Sequence, residues 1–160
     1  MKQLISVFNL LCVIVIAFVI SGLQSINAQK KTDNDKVLSA NQSFYKAFSN
    51  EDIKEMDQVW SHNPYVSAIH PISKDVIIGW SGVRESFDGV FKNYKHINIM
   101  AVSPTVHIEG NVAWVLENEE FEALQGEKTV KLTSAAINMF VKQAGKWLMV
   151  HHQATVPMPM

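Results

Sequence analysis

Three histidines stand where a side chain could trade protons with a bound molecule. His70 closes the short run Tyr65–Ile69 and is held by the proline that follows it. His151 and His152 sit side by side in the last run, WLMVHHQAT, residues 147–155. An unperturbed histidine, with a pKa near ~6.5, serves as acid or base at neutral pH. The structural alternative for His70 is a ring that packs at a strand end and caps a helix. Glu117, Asn118, Glu119 and Glu120 crowd a second run. A carboxylate enclosed by apolar groups has its pKa raised and can act as a base; the alternative is a solvated strand face. Asn138 is an amide inside the apolar AAINMFV and needs a partner if buried. Tyr45 and Tyr65 could donate to a developing oxyanion. Trp60, Trp80 and Trp114 could line the mouth of a site for a flat ligand, or simply fill a core.

The last strand poses a question of phase. Neighbours on a regular strand point to opposite faces, so Trp147, Met149, His151, Gln153 and Thr155 share one side, and Leu148, Val150, His152 and Ala154 the other. The second set is the better apolar stripe, and either could face a pocket or a partner; His151 with Gln153 is expected towards the cavity. A metal could be drawn on paper from His70, His151, His152 and a glutamate. Adjacent histidines on a regular strand do not readily reach one ion, and no histidine pair at i, i+4 spacing exists, so no metal or other cofactor is expected.

These residues need elements to hold them. Val37, Ala40, Phe44, Ala47 and Phe48 recur at helical spacing and predict a helix from Lys36 to about Ser49. Asn50 or Glu51 could cap a short second helix carrying Ile53, Met56, Val59 and Trp60, ended by His62-Asn63-Pro64. Tyr65–Ile69 and Val76–Gly79 read as short extended pieces. Ser81 reads as the N-cap of a third helix bearing Arg84, Phe87, Val90 and Phe91. Four long strands follow, Ile97–Glu109, Val112–Leu124, Thr129–Lys142 and Lys146–Thr155. The first two are joined by Gly110-Asn111, a dipeptide suited to a two-residue hairpin. Helices first and long antiparallel strands afterwards give an α+β plan, a curved antiparallel sheet wrapped as a cone around the N-terminal helices. The open end of such a cone is a natural pocket for a small ligand.

The first 28 residues have the layout of a secretory signal peptide: Lys2, the apolar run Leu10–Ile20, then SGLQSINA with cleavage expected after Ala28. The apolar run falls short of the ~20 residues a spanning helix needs, so no membrane association is expected once the signal is gone. Residues 29–35 read as a flexible leader, and residues 36–157 as one domain. Removing 28 of 160 residues leaves 132, enough for one core and not two. The single cysteine, Cys12, leaves with the signal, so the mature chain has neither disulfide nor thiolate chemistry. Without Lys2, 13 basic residues face 15 acidic ones, a formal charge of −2, and Arg84 is the only arginine. Nothing here suits nucleic acid, which asks for a basic, arginine-rich face.

Taken in order, Trp60-Ser-His62, VSAIHP (66–71), IIGW (77–80), Val83-x-x-Ser86-Phe87, HIEGNVAWVLENEE (107–120) and AAINMFVKQAGKWLMVHH (135–152) resemble the SnoaL-like domains of the nuclear transport factor 2 and ketosteroid isomerase superfamily. The resemblance covers roughly Asp35 to Pro157. It implies the cone fold, a homodimer through the outer sheet face, and a pocket whose chemistry varies between members. His70 matches the family's IHP histidine, Glu119 an acidic position and Asn138 an amide. His151 and His152 match a histidine run in which Gln153 replaces a third histidine and Thr155 a serine. The expected protein is exported, periplasmic or secreted, and binds a small apolar or aromatic molecule. As an enzyme it would run cofactor-free isomerase, cyclase or dehydratase chemistry, with His70 or Glu119 as base and His151 or Tyr45 as donor. Tyr45, Trp60, Trp80, Trp114, Asn138 and Gln153 would contact the ligand. The competing expectation is a non-catalytic ligand-binding or dimerisation module.

Overall fold

The structure is a computed structural model, and it describes residues 32–157. The expected signal peptide, its cleavage after Ala28 and the start of the leader lie outside the described residues. Helix α1 runs over residues 32–49, so it is already formed four residues ahead of Lys36, where the apolar spacing begins. Its buried stripe is Val37, Asn41, Phe44 and Phe48, with Tyr45 and Ala47 beside it. Helix α2 (Ile53–Val59) is capped by Asp52, whose side chain accepts from the backbone N–H groups of Lys54 and Glu55. Neither Asn50 nor Glu51 takes that role, because Glu51 adopts a left-handed φ of 54° to turn the chain between the helices.

Strands β1 (Ser67–Ile69) and β2 (Ile77–Ile78) precede helix α3 (Trp80–Asn93). Gly79, not Ser81, is the N-cap of α3; its φ of 85° favours glycine, and its N–H donates to the Val66 carbonyl at 2.8 Å. Strands β3 (Lys95–Glu109), β4 (Val112–Gln125), β5 (Lys128–Gln143) and β6 (Lys146–Thr155) then run as an antiparallel meander. The β3–β4 turn is Gly110-Asn111, with Gly110 at φ 58°. The full sheet order is β2-β1-β6-β5-β4-β3, and β1 lies parallel to β6, so the sheet is mixed rather than purely antiparallel.

Irregularities in register shape this sheet. Strand β3 carries an extra residue against β4 in two places, near His96 (φ 53°) and Ser103 (φ 54°). Strand β6 carries one against β5: Phe140 faces Met149 and Met139 faces His151, which leaves Val150 unpaired. Such bulges bend and twist a strand. The concave face packs on α1 and α3 through Phe44, Phe48, Phe87 and Phe91, whose rings meet edge to face or tilted at 5.6 to 6.4 Å. No helix among the described residues is long and apolar enough to cross a membrane.

Candidate functional site

The concave face of β4 and β5 carries polar groups where a core would be apolar. Alternation along β4 buries Ala113, Val115, Glu117, Glu119 and Ala123, and along β5 Ser134, Ala136, Asn138 and Phe140. Asn41 and Tyr45 of α1 project onto the same place. Tyr45 Oη lies 2.6 Å from Glu117 Oε1 and 2.8 Å from Glu119 Oε1. Glu117 also accepts from Asn41 Nδ2 (2.7 Å) and Asn138 Nδ2 (2.8 Å), and Glu119 accepts from Ser134 Oγ (2.8 Å). Asn138 further donates to Asn41 Oδ1 at 2.8 Å.

The network fixes the state of two histidines. Asn138 spends its amide hydrogens on Glu117 and Asn41, so its Oδ1 must accept from His152 Nδ1 at 2.7 Å. His152 is therefore the Nδ1–H tautomer, with Nε2 free to take a proton. On the other side, Ser86 Oγ donates to the Val83 carbonyl at 2.7 Å and lies 2.9 Å from His70 Nε2. The serine has one hydrogen, so His70 Nε2–H donates to it and Nδ1 holds the lone pair. The two rings stand 6.4 Å apart, and both lie against Phe87.

Burial pushes these groups in opposite directions. Desolvation, helped by the neighbouring His152, lowers His70 to about 4; desolvation and His151 lower His152 to about 3. Desolvation raises Glu117 to about 7 against its hydrogen bonds from Tyr45, Asn41 and Asn138. It raises Glu119 as well, opposed by Tyr45, Ser134 and His70. It also drives the Tyr45 hydroxyl far above its usual range, with the two glutamates adding to the effect. These shifts favour the neutral histidines and hold the carboxyl protons to higher pH.

His70, Glu119, Ser134 and His152 are the polar lining of a cavity of about 200 Å³. Its remaining wall is largely apolar: Phe48, Val90, Ile99, Phe121, Val130 and Leu132, with Pro71, Ile72 and Tyr94 also contributing. A larger groove of about 520 Å³ opens to solvent between the two first helices and the β5–β6 turn. Its lining mixes Lys36, Lys46, Lys146 and Glu55 with Trp147 and Leu148 and contains no histidine. The smaller cavity is the one that brings His70, His152 and Glu119 together against an apolar wall.

The structure sorts the expected site residues. His70 and Glu119 line the cavity together. His151 does not: it is half-buried on the opposite face, its Nδ1 2.8 Å from Ser67 Oγ, and Gln153 shares that face through pairing with Ile137. The bulge at Val150 is the reason, because it lets Trp147 and Met149 share the inner face with His152 and Ala154. Trp114 is also on the outer face, stacked on His107 at 5.5 Å. Trp60 is core, and Trp80 stacks on His62 at 4.7 Å near the start of α3. Tyr45 and Asn138 stand behind the cavity and reach it through Glu119 and His152. Tyr65 is exposed. Glu117, Asn41, Ser86 and Ser134 complete the site without having been singled out as lining residues. Asn41 was visible as a polar residue on the helical stripe of Val37, Phe44 and Phe48.

A curved mixed sheet closed over helices, with polar groups gathered inside its concave face, is the nuclear transport factor 2-like arrangement. Residues 37–159 match the SnoaL-like domain, and the chain belongs to that family. A solved structure from Streptomyces avermitilis, named as a candidate dehydratase of the same superfamily, aligns at TM-score 0.73 and 22% identity, covering 81% of this chain and 99% of that one. A Salmonella enterica protein of the superfamily aligns at TM-score 0.76 and 20% identity, over 82% and 95% of the two chains. A candidate aromatic ring hydroxylase from Novosphingobium aromaticivorans aligns at TM-score 0.72 and 17% identity, over 80% and 91%. In Arabidopsis thaliana, F-box protein SKIP8 is 23% identical over 137 residues; these are 84% of this chain but 56% of that protein, so the chain spans little more than half of it.

Proposed function

We propose that this protein takes a small, neutral, largely apolar molecule into the cavity and moves a proton on it without a cofactor, as an isomerase, cyclase or dehydratase does. One juxtaposition carries the reading: neutral histidines and a protonated carboxyl face the same apolar space. Groups whose surroundings push their pKa values apart supply base and acid together at one pH. His70 Nδ1 or His152 Nε2 takes the proton. Glu119, held by Ser134, donates to the oxygen on which negative charge develops. His152 thus replaces His151 as the second histidine of the site. Pockets for drug-sized ligands run to roughly 300–1,000 Å³, so about 200 Å³ favours a molecule of single-ring size.

The test is exchange of the α-hydrogens of small cyclic ketones and enones in D2O, followed by NMR. Wild type is expected to accelerate exchange and His70→Ala to lose it while keeping its unfolding midpoint. Binding without exchange in wild type would instead favour a non-catalytic ligand-binding module. That second reading is supported by the engagement of one nitrogen of each histidine in structural hydrogen bonds. The exposed Met100 (45%), Leu116 (43%) and Val112 (37%) on the outer sheet face support a homodimer formed there with a second copy. Residues 1–28 support export, which would place the protein in the periplasm or outside the cell.

A further inference from the structure

Glu117 has no part in the chemistry just described, yet it is the most heavily hydrogen-bonded acid in the interior. Three oxygens meet at its side: Tyr45 Oη stands 2.6 Å from Glu117 and 2.8 Å from Glu119. A tyrosine hydroxyl carries one hydrogen, and each of these contacts needs one. Two bare carboxylates cannot both be satisfied by a single O–H, so one carboxyl brings a proton of its own. The cluster of three acids then holds Tyr45 as a hydroxyl, one carboxylic acid and one carboxylate.

The surroundings decide which carboxyl is which. Glu117 accepts from Asn41 Nδ2 and Asn138 Nδ2, both of which favour the anion. Beside its contact with Tyr45, Glu119 accepts from Ser134 Oγ alone among the described residues, and it faces the apolar cavity. The resting direction is therefore Glu119 O–H to Tyr45 Oη, and Tyr45 O–H to Glu117 Oε1. The other titratable groups at the cavity, His70 and His152, are neutral and leave this charge of −1 uncompensated.

The geometry points to Tyr45 as a proton relay between two carboxyls that share one proton. In the shift, the Glu119 hydrogen passes to Tyr45 Oη as the Tyr45 hydrogen passes to Glu117 Oε1. One O–H bond breaks and one forms at the tyrosine, and the cluster keeps its charge. At rest the Glu119 hydrogen lies on Tyr45 Oη and turns to the cavity when a substrate oxygen accepts it; after the shift Glu119 faces the cavity as a carboxylate, with no proton entering the interior. Glu117 is the store, and Tyr45 and Glu117 are positioning residues that act through Glu119. The use of this switch in turnover rests on the acid–base function proposed above; the sharing of the proton does not.

The test is a carbon NMR titration of the full chain labelled at the glutamate carboxyl carbons. In wild type, Glu117 is expected to ionise first, with a midpoint near neutral pH, and Glu119 to hold its proton to higher pH. Tyr45→Phe removes a donor from Glu117 and an acceptor from Glu119, so the two titrations should move in opposite directions, Glu117 up and Glu119 down. A tyrosine that only filled space would let water in and lower both. Parallel movement, or none, overturns the relay. If Tyr45→Phe does not fold, Glu119→Gln supplies the second arm: its amide can donate to Tyr45 Oη, and Glu117 should ionise at no higher pH than in wild type. A Glu117 that ionises at higher pH in that variant than in wild type also overturns the relay. Because neither arm uses a substrate, a failed ketone-exchange assay with opposed carboxyl shifts would sink the catalytic reading alone.

Discussion

His152 Nδ1 donates to Asn138 Oδ1 at 2.7 Å, and this bond joins the cavity to the carboxyl cluster behind it. Asn138 both orients a histidine of the cavity and donates a hydrogen bond to Glu117. A histidine held in one tautomer presents a fixed lone pair, which is what a general base requires.

Replacing Asn138 by leucine keeps much of the volume and removes every one of these partners. Glu117 Oε1, Asn41 Oδ1 and His152 Nδ1 each lose a hydrogen bond while still buried. A buried polar group left unpaired costs about 1–3 kcal/mol, and more when charged. Urea unfolding should show Asn138→Leu destabilised by roughly 3 kcal/mol or more. A loss under about 1 kcal/mol would mean the network is not held together through this amide.

The pH dependence of stability follows from opposed shifts. His70 and His152 fall from 6.5 to about 4 and about 3 in the folded protein, so their contribution is complete above pH 6.5 and is lost as pH falls towards those values. Glu117 rises from 4.5 to about 7, so its contribution is complete below 4.5 and declines as pH rises towards 7; raised Glu119 acts in the same sense. Between about pH 4.5 and 6.5 the two effects oppose, each worth about 1.4 kcal/mol per pH unit per uncompensated proton. Wild type should therefore be nearly flat across this window. Glu119→Gln should gain stability with rising pH there, and His152→Asn should lose it. Denaturant midpoints taken at half-unit steps of pH check both slopes.

The outer face gives a third expectation. Leu116 stands 43% exposed between neighbours on β3 and β5, across from Thr105 and Ile137. Leu116→Lys should leave unfolding unchanged within about 0.5 kcal/mol, as surface substitutions do. In sedimentation it should convert a dimer to a monomer. A variant with wild-type mass would move the contact elsewhere.

Much of the fold was readable because strand alternation, helical spacing and the Gly110-Asn111 turn act locally. The site was readable only in part. Glu119 and Trp114 cannot face one side of a regular strand, since they differ by an odd number of positions; burying Glu119 puts Trp114 outside. That constraint was present in the residues. The placement of His151 and Gln153 was not, because strict alternation assumes a ladder without bulges. With the bulge, the departure at Gln153 from the family's histidine run falls on the outer face and does not weaken the cavity. The Asp52 cap differs for a similar reason: a left-handed turn at Glu51 is set by how two helices meet.

The bulge at Val150 makes the last prediction. Met149 and His152 both face inward with two residues between them, which a regular strand does not permit. Deleting Val150 leaves one residue between them and restores simple alternation with the same inner set, Trp147, Met149, His152 and Ala154. The deletion should fold, with loss limited to the packing of one half-buried valine, about 1–2 kcal/mol. His152 should keep its Nδ1–H tautomer in nitrogen NMR. Deleting Leu148 instead places Trp147 and Met149 next to each other, and one of two buried side chains must leave the core. That variant should lose several kcal/mol or fail to fold. If the two deletions are equally damaging, the bulge is not what turns His152 inward.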